Sequence, residues 1–127
     1  MIVRMKMQAD RMEGAQAIAR HGPGGIAVAG VEWTESVLVP WQGGVRAWDV
    51  ASFEALTPEH FAAIAALEPE LVVFGSGPRL RFPKPALLRA LVEAGIGTET
   101  MDTAAACRTY NVLLAEGRAV VAALVFL

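Results

Sequence analysis

The chain has 127 residues, a formal net charge of −2 and one cysteine, Cys107. This length favours one domain, the weak negative charge argues against nucleic acid or anionic lipid as a partner, and one cysteine allows no internal disulfide. The longest apolar run, residues 119–127, is far shorter than the roughly 20 residues of a membrane span. Residues 1–14 lack the apolar core of a secretory signal, so we predict an N-terminal arm there, a single α/β domain over residues 15–127, and a cytoplasmic location.

The first half of the domain is predicted to be β-structure. A strand over residues 16–21 leads into a glycine-rich turn at residues 22–25. The apolar residues at 26–28 and 31–33 flank Ala29-Gly30, which predicts a tight hairpin with Gly30 at positive φ. A short strand over residues 37–41 and a Gln-Gly-Gly loop follow.

The second half alternates helix and strand. Thr57-Pro58-Glu59 is typical of a helix start, and the final strand has apolar residues on both alternating faces, as a strand covered on both sides requires. The predicted elements are a helix from residue 58 to Pro69, a strand over 71–74, a loop over 75–78, a helix over 85–94, a strand over 96–101, a helix over 103–116 and a strand over 120–126. We therefore predict a three-layer α/β domain with a central mixed β-sheet, helices packed on it and an N-terminal β-hairpin layer.

Gly75-Ser76-Gly77 follows a predicted strand and precedes a helix, as phosphate-binding loops do. A dinucleotide fingerprint needs a third glycine where Leu80 stands, and a nucleophile elbow needs glycines outside this triplet. Two interpretations stay open. The triplet is either a sharp turn that needs small residues, or a loop for an anion or small polar ligand.

The helix over residues 103–116 carries several polar residues on an otherwise apolar element. A buried polar side chain costs free energy unless it is paired. One interpretation is that these residues cap the helix and fix its packing, with an ion pair between Glu116 and Arg118. The other is that Tyr110, Asn111 and Arg118 line a small pocket that faces the Gly75 loop.

Cys107 and the two histidines do not form a recognisable catalytic or metal-binding set. A catalytic cysteine needs a nearby histidine, and His21 and His60 lie in distant segments, so a core cysteine is favoured. Two histidines without cysteine partners are also too few for zinc. We predict no catalytic residue, no metal and no cofactor.

Trp33, Trp41 and Trp48 fall within sixteen residues. They are interpreted either as core and hairpin packing or as a partner surface, since aromatic side chains are favoured in binding hot spots.

Three segments resemble a family of small domains of unassigned function: ELVVFGSG at 70–77, GIGTETMDT at 95–103 and AACRTYNVLLAEGR at 105–118. The family (Mth-type domains) is spread through bacteria and archaea, and in animals it includes a mitochondrial assembly factor for respiratory complex I and an adipogenesis-associated protein. The resemblance implies a three-layer fold with a central mixed sheet and no established reaction. In the family the glycine loop usually has Gly-Thr-Gly, and Ser76 keeps the hydroxyl. We expect that no transit peptide precedes the domain and that the complex I assembly role of the eukaryotic members does not carry over. We also expect a bacterial, cytoplasmic member.

Two hypotheses follow. The favoured one is a non-catalytic binding or assembly domain with a protein partner; self-association stays open. The alternative is a small-molecule or anion-binding protein, or an enzyme, with a pocket between the Gly75 loop and the helix over 103–116. The candidate residues for that pocket, nine of them implied by the resemblance and completed by Ser76, are Gly75, Ser76, Gly77, Met101, Thr103, Thr109, Tyr110, Asn111, Glu116 and Arg118.

Overall fold

A computed structural model describes residues 16–127, over which it has two sheets and three α-helices. The predicted arm over residues 1–14 lies outside the described residues. The strands are β1 Ile18–Gly22, β2 Gly25–Val28, β3 Val31–Trp33, β4 Val37–Pro40, β5 Arg46–Ala47, β6 Leu71–Ser76, β7 Gly97–Met101 and β8 Val120–Val125. The helices are α1 Pro58–Ala65, α2 Arg89–Glu93 and α3 Thr103–Ala115, with short 3-10 turns at Phe53–Ala55 and Pro85–Leu88.

The larger sheet is mixed, as predicted. Its order is β5-β4-β8-β6-β7, with β8, β6 and β7 parallel and β4 antiparallel to β8. The two central strands, β6 and β8, pair in register from Leu71 opposite Val120 to Ser76 opposite Val125. The smaller sheet is the predicted antiparallel hairpin layer, in the order β1-β2-β3.

Each face of the mixed sheet has its own core. Alternate residues of β6 point to opposite faces, so Val73 packs with α3 and the hairpin layer while Val72 and Phe74 pack with α1 and α2. The largest fully buried side chain of the first core is Tyr110, and that of the second is Phe61. These two covered faces confirm the predicted three-layer arrangement.

Several predicted boundaries were wrong. Residues 75–78 were predicted as a loop, but β6 continues through Gly75 and Ser76 because both pair with the neighbouring strand β8. The predicted helix over residues 85–94 is a 3-10 turn followed by the five residues of α2. The hairpin prediction was correct: Gly30 has φ 81°, and Ala29 shares the positive φ that a two-residue turn of this hand requires.

Across residues 16–127, none of the helices has the length and apolar character needed to cross a membrane.

Candidate functional site

The start of α3 lies directly against the carboxyl end of β6. The Thr103 hydroxyl donates to the Val125 carbonyl at 2.6 Å and accepts from the Gly77 amide at 2.8 Å. The Thr103 amide in turn donates to the Gly77 carbonyl at 2.9 Å. A Cβ at Gly75 would lie 2.9 Å from the Thr103 Cα, closer than real Cβ contacts come. Glycine at position 75 is therefore what lets the helix approach the strand, and the contact between Gly75 and Thr103 leaves no gap.

Ser76 binds the loop that follows its own strand. Its hydroxyl donates to the Arg79 carbonyl at 2.8 Å, with the Met101 carbonyl at 3.2 Å as a second acceptor, and it accepts from the Arg81 amide at 3.0 Å. The side chain of Arg81 returns to the Ser76 carbonyl, to which its Nε donates at 3.0 Å. The same guanidinium pairs with Glu54 at 3.1 Å.

The candidate residues in the middle of α3 contact other parts of the domain. The Tyr110 hydroxyl donates to the Pro40 carbonyl at 3.1 Å, and burial raises the pKa of Tyr110. The side-chain amide of Asn111 accepts from the Ile18 amide at 2.8 Å and donates to the Ile18 carbonyl at 2.9 Å. Tyr110 thus joins α3 to β4, and Asn111 joins it to the hairpin layer.

Arg118 lies at the opposite end of the sheet from Gly75. It precedes β8, where its Nε donates to Glu70 at 2.9 Å; the predicted pair between Glu116 and Arg118 was therefore wrong. The second carboxylate oxygen of Glu70 accepts from the Ala119 amide at 3.0 Å. The hydrogen bond from Arg118 is the main reason why the pKa of Glu70 is lowered, and the same bond raises the pKa of Arg118.

The predicted set is therefore divided. The structure brings Gly75, Ser76, Gly77, Met101 and Thr103 together at the carboxyl ends of β6 and β7. Of the remainder, Tyr110 and Asn111 face β4 and β1, Arg118 is at the opposite end of the strands, Thr109 is half-buried, and Glu116 is exposed where α3 ends. A ligand-binding role for this set remains a prediction.

A cavity of about 290 Å³ opens beside the Gly77–Thr103 contact. It lies at the carboxyl ends of parallel strands, where open α/β sheets place ligands. Three of its polar groups already have partners: the Thr103 hydroxyl and the Gly77 amide bind each other, and the Asp102 carboxylate accepts from the Ala105 amide at 2.9 Å. The cavity lining consists of His21, Gly22, Pro23, Gly77, Pro78, Asp102, Thr103, Ala104 and Phe126.

Cys107 is a core residue of α3. It is fully buried, and burial raises the pKa of its thiol to about 11, whereas a nucleophilic cysteine needs a lowered pKa. His60 packs with the opposite core, where its Nδ1 accepts from the Thr57 amide at 2.9 Å and its Nε2 donates to the Asp49 carbonyl at 2.7 Å. Cys107 and His60 therefore lie on opposite faces of the mixed sheet.

The tryptophans favour the packing interpretation. Trp48 is buried among Phe61 and Phe74, and its indole donates to the His60 carbonyl at 3.1 Å. Trp41 packs against the same core, and Trp33 packs against the core on the other face.

Arg81 is a basic residue with several contacts that the sequence hypotheses left out. Its guanidinium contacts Ser76, Glu54 and the ring of Phe53, to whose centroid it lies 4.5 Å away. The sequence places it in a short basic group with Arg79 and Lys84, among prolines, and nothing in that local pattern indicates that it turns inward.

These features define the class of protein: a small layered α/β domain in which the start of α3 packs directly against Gly75 of β6. The family model described as "Protein of unknown function (DUF498/DUF598)" matches residues 18–125, and the chain belongs to that family. This confirms the resemblance stated from the sequence.

Similar proteins include assembly factors and bacterial domains. A Bos taurus protein named NADH dehydrogenase (ubiquinone) 1 alpha subcomplex assembly factor 3 is 44% identical over 80 residues, which is 61% of this chain and 44% of that protein. The chain thus spans less than half the length of that relative. A Bordetella parapertussis crystal structure is 36% identical with a TM-score of 0.83, covering 88% of this chain and 96% of that one. A Bordetella pertussis solution structure, titled a Mth938-like domain, is 30% identical with a TM-score of 0.79, covering 88% and 86%.

Proposed function

We propose that this chain is a non-catalytic binding domain that takes part in the assembly of a protein complex. The observation that carries the proposal is the use of the polar side chains. The hydroxyls and amide of Ser76, Thr103, Tyr110 and Asn111 all bind backbone groups of the same chain. Side chains that bind a substrate or transfer a proton must present free donors and acceptors to it. These four instead stabilise the fold of the domain itself.

The comparisons support an assembly role. The bovine relative carries that role in its name, and the segments that match this chain are part of it. Its partner is not transferred, because most of that relative lies outside the match. We propose a protein partner. We also propose a bacterial protein, since near full-length structural matches come from Bordetella species. The cytoplasmic location stays a prediction from the sequence.

Reciprocal affinity capture tests the assembly role. The tagged full chain is crosslinked in cells of its source organism, purified, and each recovered protein is then tagged and used to capture this chain. We expect one or a few proteins to be recovered in both directions at a fixed stoichiometry. Recovery of no protein in both directions would contradict the proposal.

A thermal-shift screen tests the competing outcome. A metabolite at 100 times its Kd adds about 2.7 kcal/mol of stability. We expect no metabolite in a broad panel to raise the Tm. A metabolite whose effect disappears with Ala104→Trp, which fills the cavity beside Thr103, would overturn the proposal in favour of ligand binding.

A further inference from the structure

The loop between β6 and the 3-10 turn at Pro85 exposes two large apolar side chains to solvent. We call residues 77–85 the proline loop, because they include Pro78, Pro83 and Pro85. Leu80 is 51% exposed and Phe82 is 69% exposed. Single exposed apolar residues are common, but two large ones only two positions apart on one loop make that loop a candidate binding surface.

Hydrogen bonds to Ser76 fix the conformation of the proline loop. Arg81 lies between the two apolar residues in sequence and its side chain turns inward, where it contacts the Ser76 carbonyl, Glu54 and the ring of Phe53. The Ser76 hydroxyl also binds the backbone of the loop, at the Arg79 carbonyl and the Arg81 amide. Leu80 and Phe82 are therefore presented in a fixed arrangement, which lowers the entropy that a partner loses on binding.

The segment of sequence that contains the loop is basic, although the whole chain has a net charge of −2. Residues 71–92 contain four basic residues and no acidic one. Arg81 is neutralised by Glu54. The other three, Arg79, Lys84 and Arg89, are exposed and form no ion pair with any residue in the range 16–127.

We propose that the proline loop is the docking surface for an acidic protein segment that carries a large apolar side chain. The inference rests on the proposed assembly function and names the surface that serves it. Leu80 and Phe82 would anchor the apolar side chain, and the three unpaired cations would attract the carboxylates and fix the orientation of the segment. Two of those cations are arginines, whose planar guanidinium groups bind carboxylates at two points.

Charge favours a protein segment over the other polyanions. Membrane anchoring by basic residues relies on clusters of about four to eight near the surface, whereas the loop and the start of α2 together have three unpaired ones on a chain of negative net charge. Three phosphate contacts give nucleic acid only weak binding with a shallow salt dependence. Two fixed apolar anchors with a few flanking cations match the size of a peptide-binding surface.

Peptide selection on the folded full chain tests the surface directly. A displayed library of random 12-residue peptides is selected on immobilised protein, and the enriched peptides are measured by fluorescence anisotropy. We expect enrichment of peptides with several Asp or Glu residues around a Phe, Leu, Trp or Met. Leu80→Ser/Phe82→Ser should weaken their binding at least about tenfold, as truncation of a hot spot does. Lys84→Glu/Arg89→Glu should weaken it about as much.

Val112→Ser is the matched control, because Val112 is an exposed valine on α3, on the other side of the sheet. It should leave binding within about twofold, and all variants should keep the wild-type circular dichroism because every changed side chain is exposed. The inference is overturned if nothing is enriched, if enriched peptides are neutral or basic, or if the Leu80/Phe82 variant binds acidic peptides as well as wild type does. Loop-dependent binding to phosphatidylserine vesicles or to a DNA oligonucleotide, without peptide binding, would also overturn it.

The protein recovered by reciprocal capture separates the two proposals. If that partner binds Leu80→Ser/Phe82→Ser with wild-type affinity, the docking surface is wrong and the assembly role stands. If no partner is recovered, the assembly role itself is wrong.

Discussion

Asn111 shows how a single polar residue connects two layers of the domain. Its side-chain amide makes hydrogen bonds to both backbone groups of Ile18, in a partly buried position. Asn111→Ala leaves a backbone amide and a carbonyl without those partners, which should lower the free energy of unfolding by about 1–3 kcal/mol. Urea denaturation without any added ligand measures the change.

The control for Asn111 is its neighbour in α3. Val112 is 57% exposed, and Val112→Ala should change stability by no more than about 0.5 kcal/mol. Equal stabilities for the two variants would mean that Asn111 does not join α3 to the hairpin layer, and would return it to the set of ligand-binding candidates.

At this scale the sequence identified the polar residues of α3 but not their partners. Tyr110 binds a carbonyl 70 residues away and Asn111 binds a residue 93 positions away. Arg118 was paired with Glu116 because they are close in sequence, whereas its partner Glu70 is 48 positions away. Local spacing indicates that a polar group needs a partner, but only the order of strands in the sheet determines which one it meets.

Strand β6 and helix α3 meet at Gly75. In Gly75→Ala the new methyl group would lie 2.9 Å from Thr103 Cα, Thr103 Oγ1 and Leu124 Cδ2. Either α3 or β8 must move, and overpacking of this kind costs about 1–3 kcal/mol. Thermal or urea unfolding should show that loss.

Gly97→Ala is the control for Gly75→Ala. Gly97 begins the neighbouring strand β7, and a Cβ there meets nothing within 4 Å. Its substitution should be neutral or stabilise the fold by up to about 1 kcal/mol, since alanine restricts the unfolded chain. A similar loss in both variants would contradict a specific contact between β6 and α3.

Glu70 precedes β6, and its carboxylate accepts hydrogen bonds from Arg118 and Ala119 just before β8, so it connects the amino ends of the two strands. Its pKa is lowered, chiefly by the hydrogen bond from Arg118, so its stabilisation is fully present above the ordinary value of 4.5 and is lost as the pH falls through the lower folded value. Glu70→Gln should therefore be less stable than wild type at pH 7, and the difference should shrink as the pH falls below 4.5. Urea midpoints at pH 7, 5 and 3 measure this.

Glu93→Gln controls for a general effect of removing one carboxylate. Glu93 is exposed at the end of α2 and forms no ion pair within the part of the chain that the structure describes. Its replacement at this exposed position should change stability by no more than about 0.5 kcal/mol at pH 7. A constant difference between Glu70→Gln and wild type at all three pH values would mean that the charge of Glu70 contributes nothing.

The elements themselves were largely predictable where the pattern extends over several residues. The apolar residues of β8 and the capped start of α1 indicated strand and helix correctly. The two-residue strand β5 and the 3-10 turns are too short to show a period. Gly75 and Ser76 were assigned to a loop because glycine is frequent in loops, but pairing with β8 overrides that preference.

At the scale of the whole molecule, the two cores share the strands of one sheet. Val73 and Val72 are neighbours in β6 and contribute to different cores, so a disturbance on one face reaches the other through the backbone of the same strand. A domain of this size is expected to unfold in one cooperative step. The single cysteine of the chain can report this, because it is buried in only one of the cores.

Ile64 and Cys107 lie in the cores on opposite faces of the sheet. Ile64→Val removes one methylene from the core of α1 and α2, where Ile64 is fully buried, and should cost about 1 kcal/mol. Cys107 belongs to the other core and has a thiol pKa of about 11, so a disulfide reagent at pH 8 labels it only when the domain opens. If opening is cooperative, a loss of about 1 kcal/mol raises the labelling rate about fivefold.

The exposed Val31→Ala should leave that rate nearly unchanged. If Ile64→Val lowers global stability without faster labelling of Cys107, the two faces open independently and the shared sheet does not couple them.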